Sequence, residues 1–281
     1  MTDTSSSLSA ADADRLRAFE RRRHDSLAST YRDFFTPITA LAIPALLAAA
    51  GTGPASRLLD IATGPGSVAA EASRLGASAI GVDLSPGMIA LAKASHPGID
   101  FRVGDVEHLP FADRSFDALV CNFGIGHFPW PEAAVAECMR TLKVGGRIAL
   151  SWWDQPDKQR IQGLFRDAIA EVGVAPPPDV PAGHSNLRFS DAAAFRNLLV
   201  GAGLDDVGVE DHRSNYAVAD VDTLWRGGLG SFAVTASAID HQDVATQHAI
   251  RAALARRATA YHTPAGLELP VAFRIGSGRK A

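Results

Sequence analysis

Four stretches carry residue types whose spacing can do chemistry. The first is Asp60-Ile61-Ala62-Thr63-Gly64-Pro65-Gly66, which joins an apolar run to a helical one. Gly64 and Gly66 let the backbone turn tightly and approach a ligand. The helix behind them presents unpaired N–H groups to an anionic group. The second is Asp83, which ends the next apolar run 17 positions after Gly66. A carboxylate there can accept both hydroxyls of a ribose, and an acid ending an apolar strand is costly without a partner. The third is Gly104-Asp105-Val106-Glu107, where Asp105 can accept from an adenine amino group with the Val106 backbone nearby. The fourth is Asn122-Phe123-Gly124-Ile125-Gly126-His127-Phe128. His127 has a suitable pKa for a general base. Its other reading is a histidine that shapes a pocket or bonds backbone.

The glycine loop alone is ambiguous. Gly64-x-Gly66-x-x-Ala69 also fits a dinucleotide fingerprint, so a nicotinamide-dependent oxidoreductase has to be weighed. Three features tip the choice. A carboxylate at Asp60, beside the loop, is poor company for a pyrophosphate but suits the ammonium end of a methionyl group. Asp105 and Val106 can read an adenine. The chain closes with an alternating strand rather than with a second nucleotide-binding half.

These residues need elements to hold them. Short apolar runs at 58–61, 79–83, 101–103, 116–122 and 147–152 alternate with helical stretches, which indicates a parallel sheet covered on both faces. Ser85 is a suitable cap and Pro86 suits a first helical turn. Pro131 opens the next helix, and Gly145-Gly146 is expected to end it. Residues 11–50 read as helix broken by Pro37 and Pro44. The cluster Arg21, Arg22 and Arg23 reads as a solvated helix face. A sixth strand is expected to begin at Val207. The alternation of Leu267, Leu269, Val271, Phe273 and Ile275 predicts a last strand with Pro270 near its start.

Composition bounds the class. The 281 residues are 47% apolar and 21% charged, with a formal net charge of −4. That is an ordinary soluble-enzyme balance without the basic excess expected of a nucleic-acid binder. Two cysteines, Cys121 and Cys138, fall in runs that read as buried, which argues for reduced thiols and a cytoplasmic home. No acid and histidine cluster has metal-ligand spacing. The most apolar early stretch, 37–50, reads as too short to span a bilayer, so no membrane role is expected.

Taken in order, the stretch from Asp60 to Gly66, the stretch Gly81-Val82-Asp83-Leu84-Ser85-Pro86-Gly87-Met88 and the stretch from Gly104 to Phe111 resemble the class I S-adenosylmethionine-dependent methyltransferases. Phe116-Asp117 and Leu142-Lys143-Val144-Gly145-Gly146-Arg147 are similar to the ubiquinone and menaquinone biosynthesis branch. The likeness covers roughly residues 55–153 and, loosely, the last strand. It implies a doubly wound, Rossmann-like α/β fold of seven strands with the last antiparallel. It implies S-adenosylmethionine as cofactor, with Asp60, Ala62, Gly64 and Gly66 around the methionyl part and Asp83 on the ribose. Leu84 and Met88 would pack on the adenine, although Met88 also reads as helix core. Asp105 and Val106 would read the adenine edge, and Asn122 would lie beside the cofactor. Tyr31, in Tyr31-Arg32-Asp33, resembles a tyrosine that related enzymes lay against the cofactor. Ala62 and Ser67 stand where the family often has glycine.

The expected partition is a disordered tail at 1–13, a helical cap at 14–50 and a cofactor core at 51–153. An insertion at 154–189, a core helix and strand at 190–213, a helical lid at 214–262 and a last strand at 263–281 follow. The cap and insertions carry Tyr31, Phe34, Phe35, Trp153, Tyr216, Trp225 and Phe232, which predict an apolar pocket for a hydrophobic small molecule. The expected reaction is methyl transfer to its oxygen or carbon, in natural product biosynthesis. An S-adenosylmethionine-binding protein repurposed for cyclisation or scaffolding stays open as an alternative. The proline-bounded N-terminal helix could also swap between subunits of a homo-oligomer.

Overall fold

The computed structural model describes residues 8–174, 177, 180–181 and 186–281. Most of Ala175-Pro176-Pro177-Pro178 and the first seven residues of the expected tail lie outside the described residues. The sheet is built from β1 (Arg57–Ile61), β2 (Ser78–Asp83), β3 (Asp100–Val103), β4 (Phe116–Asn122), β5 (Leu142–Trp153), β6 (Leu204–Val218), β7 (His262–Thr263) and β8 (Gly266–Lys280). Their order is β3-β2-β1-β4-β5-β8-β6, with the two-residue β7 pairing on β8. The first five strands pair in parallel, and β8 runs antiparallel to both β5 and β6. The expected reversal of the last strand is therefore present. Central strands are almost wholly buried, as strands covered on both faces must be.

The helices are α1 (Ala10–Thr30), α2 (Thr36–Thr39), α3 (Ile43–Ala49), α4 (Ser67–Arg74), α5 (Pro86–Ser95), α6 (Pro131–Thr141), α7 (Arg160–Val172), α8 (Ala192–Gly201), α9 (Val221–Leu229), α10 (Ala233–Asp240) and α11 (Val244–Ala258). Helix α1 starts inside the stretch expected to be tail, because Ser9 caps it by accepting from Asp12 N–H. A π-helical turn at Tyr31–Phe35 separates α1 from α2, and Pro37 and Pro44 each sit in a first helical turn. By length and composition the run Ala10–Ala49 includes a window apolar enough to cross a membrane, unlike the shorter stretch considered from sequence. In this fold its Phe35, Ile38, Ala42, Leu46 and Leu47 are buried in the core.

Several boundaries differ from the sequence expectations. Helix α6 stops at Thr141, and β5 begins at Leu142 rather than Arg147. Leu142 pairs with Phe116 before a register shift, and Gly145 adopts φ +79° within that irregularity. Strand β6 begins at Leu204 and extends through Ser214 to Val218, where a helical lid was expected, because each of those residues finds a partner on β8. Tyr216 is thus a strand residue. Pro270 is not at the start of β8 but pairs with Asn215, beyond the stretch that β5 covers, which ends at Phe273. Its missing N–H costs no second ladder bond there.

Candidate functional site

The parallel strands end on a cavity of about 850 Å³. This is the crevice at the carboxyl ends of an open α/β sheet, where the strand order reverses about β1. Of the residues expected to meet the cofactor, Tyr31, Ala62, Gly64, Asp83, Leu84, Met88, Asp105, Val106 and Asn122 line it, together with His127. Asp60 and Gly66 do not. Asp60 lies wholly buried beneath the loop, where its Oδ2 accepts from Thr63 Oγ1 at 2.5 Å and from Ala69 N–H at 3.2 Å. Gly66 sits at φ +87°, and a Cβ there would meet the Phe101 ring at 2.6 Å, so its smallness serves packing behind the loop.

The loop is held by the acid that ends β2. Asp83 accepts from Gly64 N–H at 2.8 Å and from Ser85 N–H at 2.9 Å. Burial pushes its pKa up, against the pull of these N–H groups and of His24 and His127. Burial also pushes Asp60 up to about 7, with the Asp83 charge adding to the effect. Ala62 stands at φ +50°, a left-handed conformation that disfavours side chains with a Cβ. Phe123 also has positive φ, and its N–H donates to Ser151 Oγ at 2.9 Å. That hydroxyl donates to Asn122 Oδ1 at 2.7 Å, and Asn122 Nδ2 donates to Thr39 O. Asn122 is therefore fixed from two sides.

Helix α1 forms one side of the cavity. Arg17, Glu20, Arg21 and His24 line it. Residues 17, 20, 24 and 31 follow helical spacing, the signal that could have marked this face in the sequence. Arg17 pairs with Asp105 at 3.2 Å and with the buried Glu107, and its guanidinium lies over Trp130. Asp25 accepts from Ser85 Oγ and from Gly87 N–H at 2.8 Å, which ties α1 to the start of α5. The basic cluster is not uniformly a solvated face: Arg21 borders the cavity, and Arg23 donates to Ala233 O at 3.3 Å.

His127 sits in a 3-10 turn after β4, with Nδ1 3.1 Å from Glu20 Oε1. Its ring packs edge-on against His24 and Trp152. Burial works to lower its pKa, but the Glu20 carboxylate, by charge and hydrogen bond, and Asp83 together raise it above the ordinary value. The Tyr31 phenol is pushed up by burial and by Asp83. Cys121 and Cys138 are free, buried thiols, both pushed up by burial. No group of three metal-ligating side chains occurs among the described residues.

The expected aromatic lid over a substrate is largely a packing cluster. Phe35 meets Tyr31, Trp153 and Phe232, while Phe165 stacks on Trp225 and meets Phe232. Of the predicted set Tyr31 borders this cavity, and Trp153 borders a second, smaller one between the end of β5 and α7.

Comparison with known proteins places this geometry. The methyltransferase domain family matches residues 59–150. A demethylmenaquinone methyltransferase of Streptomyces griseus subsp. griseus is 32% identical over 171 residues, covering 58% of this chain and 74% of that protein. The chain belongs to the class I S-adenosylmethionine-dependent methyltransferases. Within that family it falls on the menaquinone-like branch. The demethylmenaquinone methyltransferase of Renibacterium salmoninarum is 38% identical over 147 residues, 52% of this chain and 59% of its own length. This family member thus spans less than two thirds of that relative. In fold it is similar to a Haemonchus contortus N-methyltransferase solved with phosphomonomethylethanolamine and S-adenosylhomocysteine. The TM-score is 0.57 at 17% identity, over 94% of this chain and 60% of that one.

The site of this family member fits the family's cofactor. The Asp83 carboxylate faces a cavity whose adjoining wall is the apolar set Leu84, Met88 and Val106. Nothing would obstruct even a Cβ at Gly64, so the loop leaves room. Oδ1 of Asp60 is a buried acceptor without a partner among the described residues, and an ammonium is the group that would satisfy it.

Proposed function

We propose that the chain transfers a methyl group from S-adenosylmethionine to an oxygen or carbon of a hydrophobic aromatic small molecule, a quinol or related specialised metabolite, with His127 as general base. The observation that carries this reading is one cavity lined by Asp83, Asp105 and a carboxylate-held His127. The names of the curated relatives support a quinone-related acceptor.

Asp83 would accept the ribose hydroxyls, and Leu84, Met88 and Val106 would pack on the adenine. Asp105 would face the adenine amino group while keeping its pairing with Arg17. Ala62 and Gly64 would border the methionyl part, with Asp60 beneath them as the counter-charge to its ammonium. When bound, S-adenosylmethionine supplies the methyl group and the sulfur leaving group. The residues of this chain supply position, dryness and a proton acceptor. Glu20 engages Nδ1 of His127, which leaves Nε2 to take the proton of an acceptor hydroxyl. The ring takes that proton in its neutral form. Phe123, Phe128 and Tyr31 would exclude water around the reacting atoms. The reduced state of Cys121 and Cys138 suits a cytoplasmic setting.

The test is methyl incorporation from labelled S-adenosylmethionine into a panel of hydroquinones and naphthols. His127→Ala should lower kcat by about 10²- to 10⁴-fold while leaving S-adenosylhomocysteine affinity unchanged. An unaltered kcat would remove His127 from the chemistry.

A further inference from the structure

We infer that a second cavity, divided from the first by His127, is the acceptor site, and that it takes a planar hydroxyaromatic acid. This rests on the methyltransferase reading above. The cavity, of about 480 Å³, lies between the end of β5, the first turns of α7 and the segment before α8. Among the described residues His127 is the one side chain in the walls of both cavities. An acceptor held there and a cofactor in the first cavity would meet at that ring, as in-line transfer requires.

The wall selects for a flat molecule. Trp152 and Trp153 are 3% and 6% exposed. Trp153 stacks on Phe123 with ring centroids 3.7 Å apart, and Trp152 Nε1 donates to Asn186 O at 2.9 Å. Both indoles are therefore fixed, and rigid aromatic surfaces suit a planar ring.

The wall also selects for oxygen. Gln159 and Ser190 are 2% and 1% exposed. Gln159 uses Oε1 to accept from Gln162 N–H, but its Nε2 and the Ser190 Oγ have no partner among the described residues. Buried donors left unpaired are costly, so ligand oxygens that pair with them are favoured. The free charge of the cavity is positive. Asp154 is already matched by the buried Arg274 and by Lys158. Arg166 has no carboxylate within ion-pair distance among the described residues, and its contact is Asn186 Oδ1 at 3.5 Å. A guanidinium so placed suits a carboxylate. A wall this polar has little to offer a long apolar tail.

The probes are 1-hydroxy-2-naphthoate and 1-naphthol, titrated by calorimetry into the full chain saturated with S-adenosylhomocysteine. The acid should bind at least tenfold more tightly than the naphthol. Arg166→Glu should weaken the acid at least tenfold and leave the naphthol and S-adenosylhomocysteine unchanged, while Arg166→Lys keeps most of the affinity. Arg166 is exposed, so folding should survive both changes. Gln162→Trp, which would fill the cavity, should weaken both naphthyl probes and spare S-adenosylhomocysteine. Failure of the acid to bind the saturated wild type would overturn the inference. So would binding indifferent to Gln162→Trp, and indifference to Arg166→Glu would overturn the recognition of a carboxylate. If S-adenosylhomocysteine itself fails to bind while the acid binds through Arg166, the methyltransferase reading and the acceptor role fall together, and only the recognition of a hydroxyaromatic acid by this cavity stands.

Discussion

At the scale of single residues, two ionisable groups set the pH behaviour. His127 must be neutral to take a proton, and its pKa is held above the ordinary value chiefly by Glu20, against burial. The rate kcat/KM should therefore rise with pH to a plateau, with the midpoint of the rise above the ordinary histidine value. Glu20→Gln removes the charge that raises the ring, so the rising limb should move to lower pH while the plateau falls. An unmoved limb would show that Glu20 does not act through His127. Asp60 is the second group. Its folded pKa of about 7 lies well above the ordinary aspartate range. The protonated acid thus contributes stability that is fully present below about pH 4 and lost as pH rises towards 7. Asp60→Asn does not titrate. Its stability relative to wild type should improve by about 2–3 kcal/mol between pH 5 and pH 8, read from ligand-free denaturation curves. Asp83 was legible in the sequence because an acid at an apolar strand end stands out; Asp60 stood out for the same reason, but it lies beneath the loop rather than in the cavity wall. Glu20 was not legible, because its partner lies 107 positions away and comes near only in the fold.

At the scale of elements, α1 is the piece that completes the cofactor cavity. Ion pairs hold it beside the buried Ala13, Leu16 and Phe19. Arg17 neutralises Glu107, whose side chain is 2% exposed, and also touches Asp105. Arg17→Ala would leave Glu107 buried with a backbone partner, Trp130 N–H, and no cation. The expected cost is roughly 2–4 kcal/mol, measured by chemical denaturation, with a parallel loss of S-adenosylhomocysteine affinity. A stability change below about 0.5 kcal/mol, the range of ordinary surface substitutions, would mean that the pair is not a structural tie. The strands and helices between Arg57 and Trp153 were legible because apolar runs and turn residues alternate there. The ends were less so. Strand β6 has a mixed burial pattern, and its length is set by pairing with β8 rather than by its own residues. The aromatics of the expected lid looked like a pocket because composition does not say which ring meets ligand and which meets another ring.

At the scale of the whole molecule, the sheet order brings the glycine loop, the β2 acid and the β4 histidine to one crevice, although they are spread over more than 60 positions. The reversed β8 takes the place next to β5, where a dinucleotide enzyme of the doubly wound type carries further parallel strands. This crevice is therefore one for an adenosyl sulfonium rather than a nicotinamide dinucleotide. The measurement that tests it most directly is calorimetric titration of the full chain with S-adenosylmethionine, S-adenosylhomocysteine and NADH, beside Asp83→Asn and Asp83→Ala variants whose folding is checked by thermal melting. Both adenosyl ligands should bind, NADH should not, and a folded Asp83 variant should lose at least tenfold in affinity. Binding of NADH in place of the adenosyl ligands would contradict this assignment of the crevice.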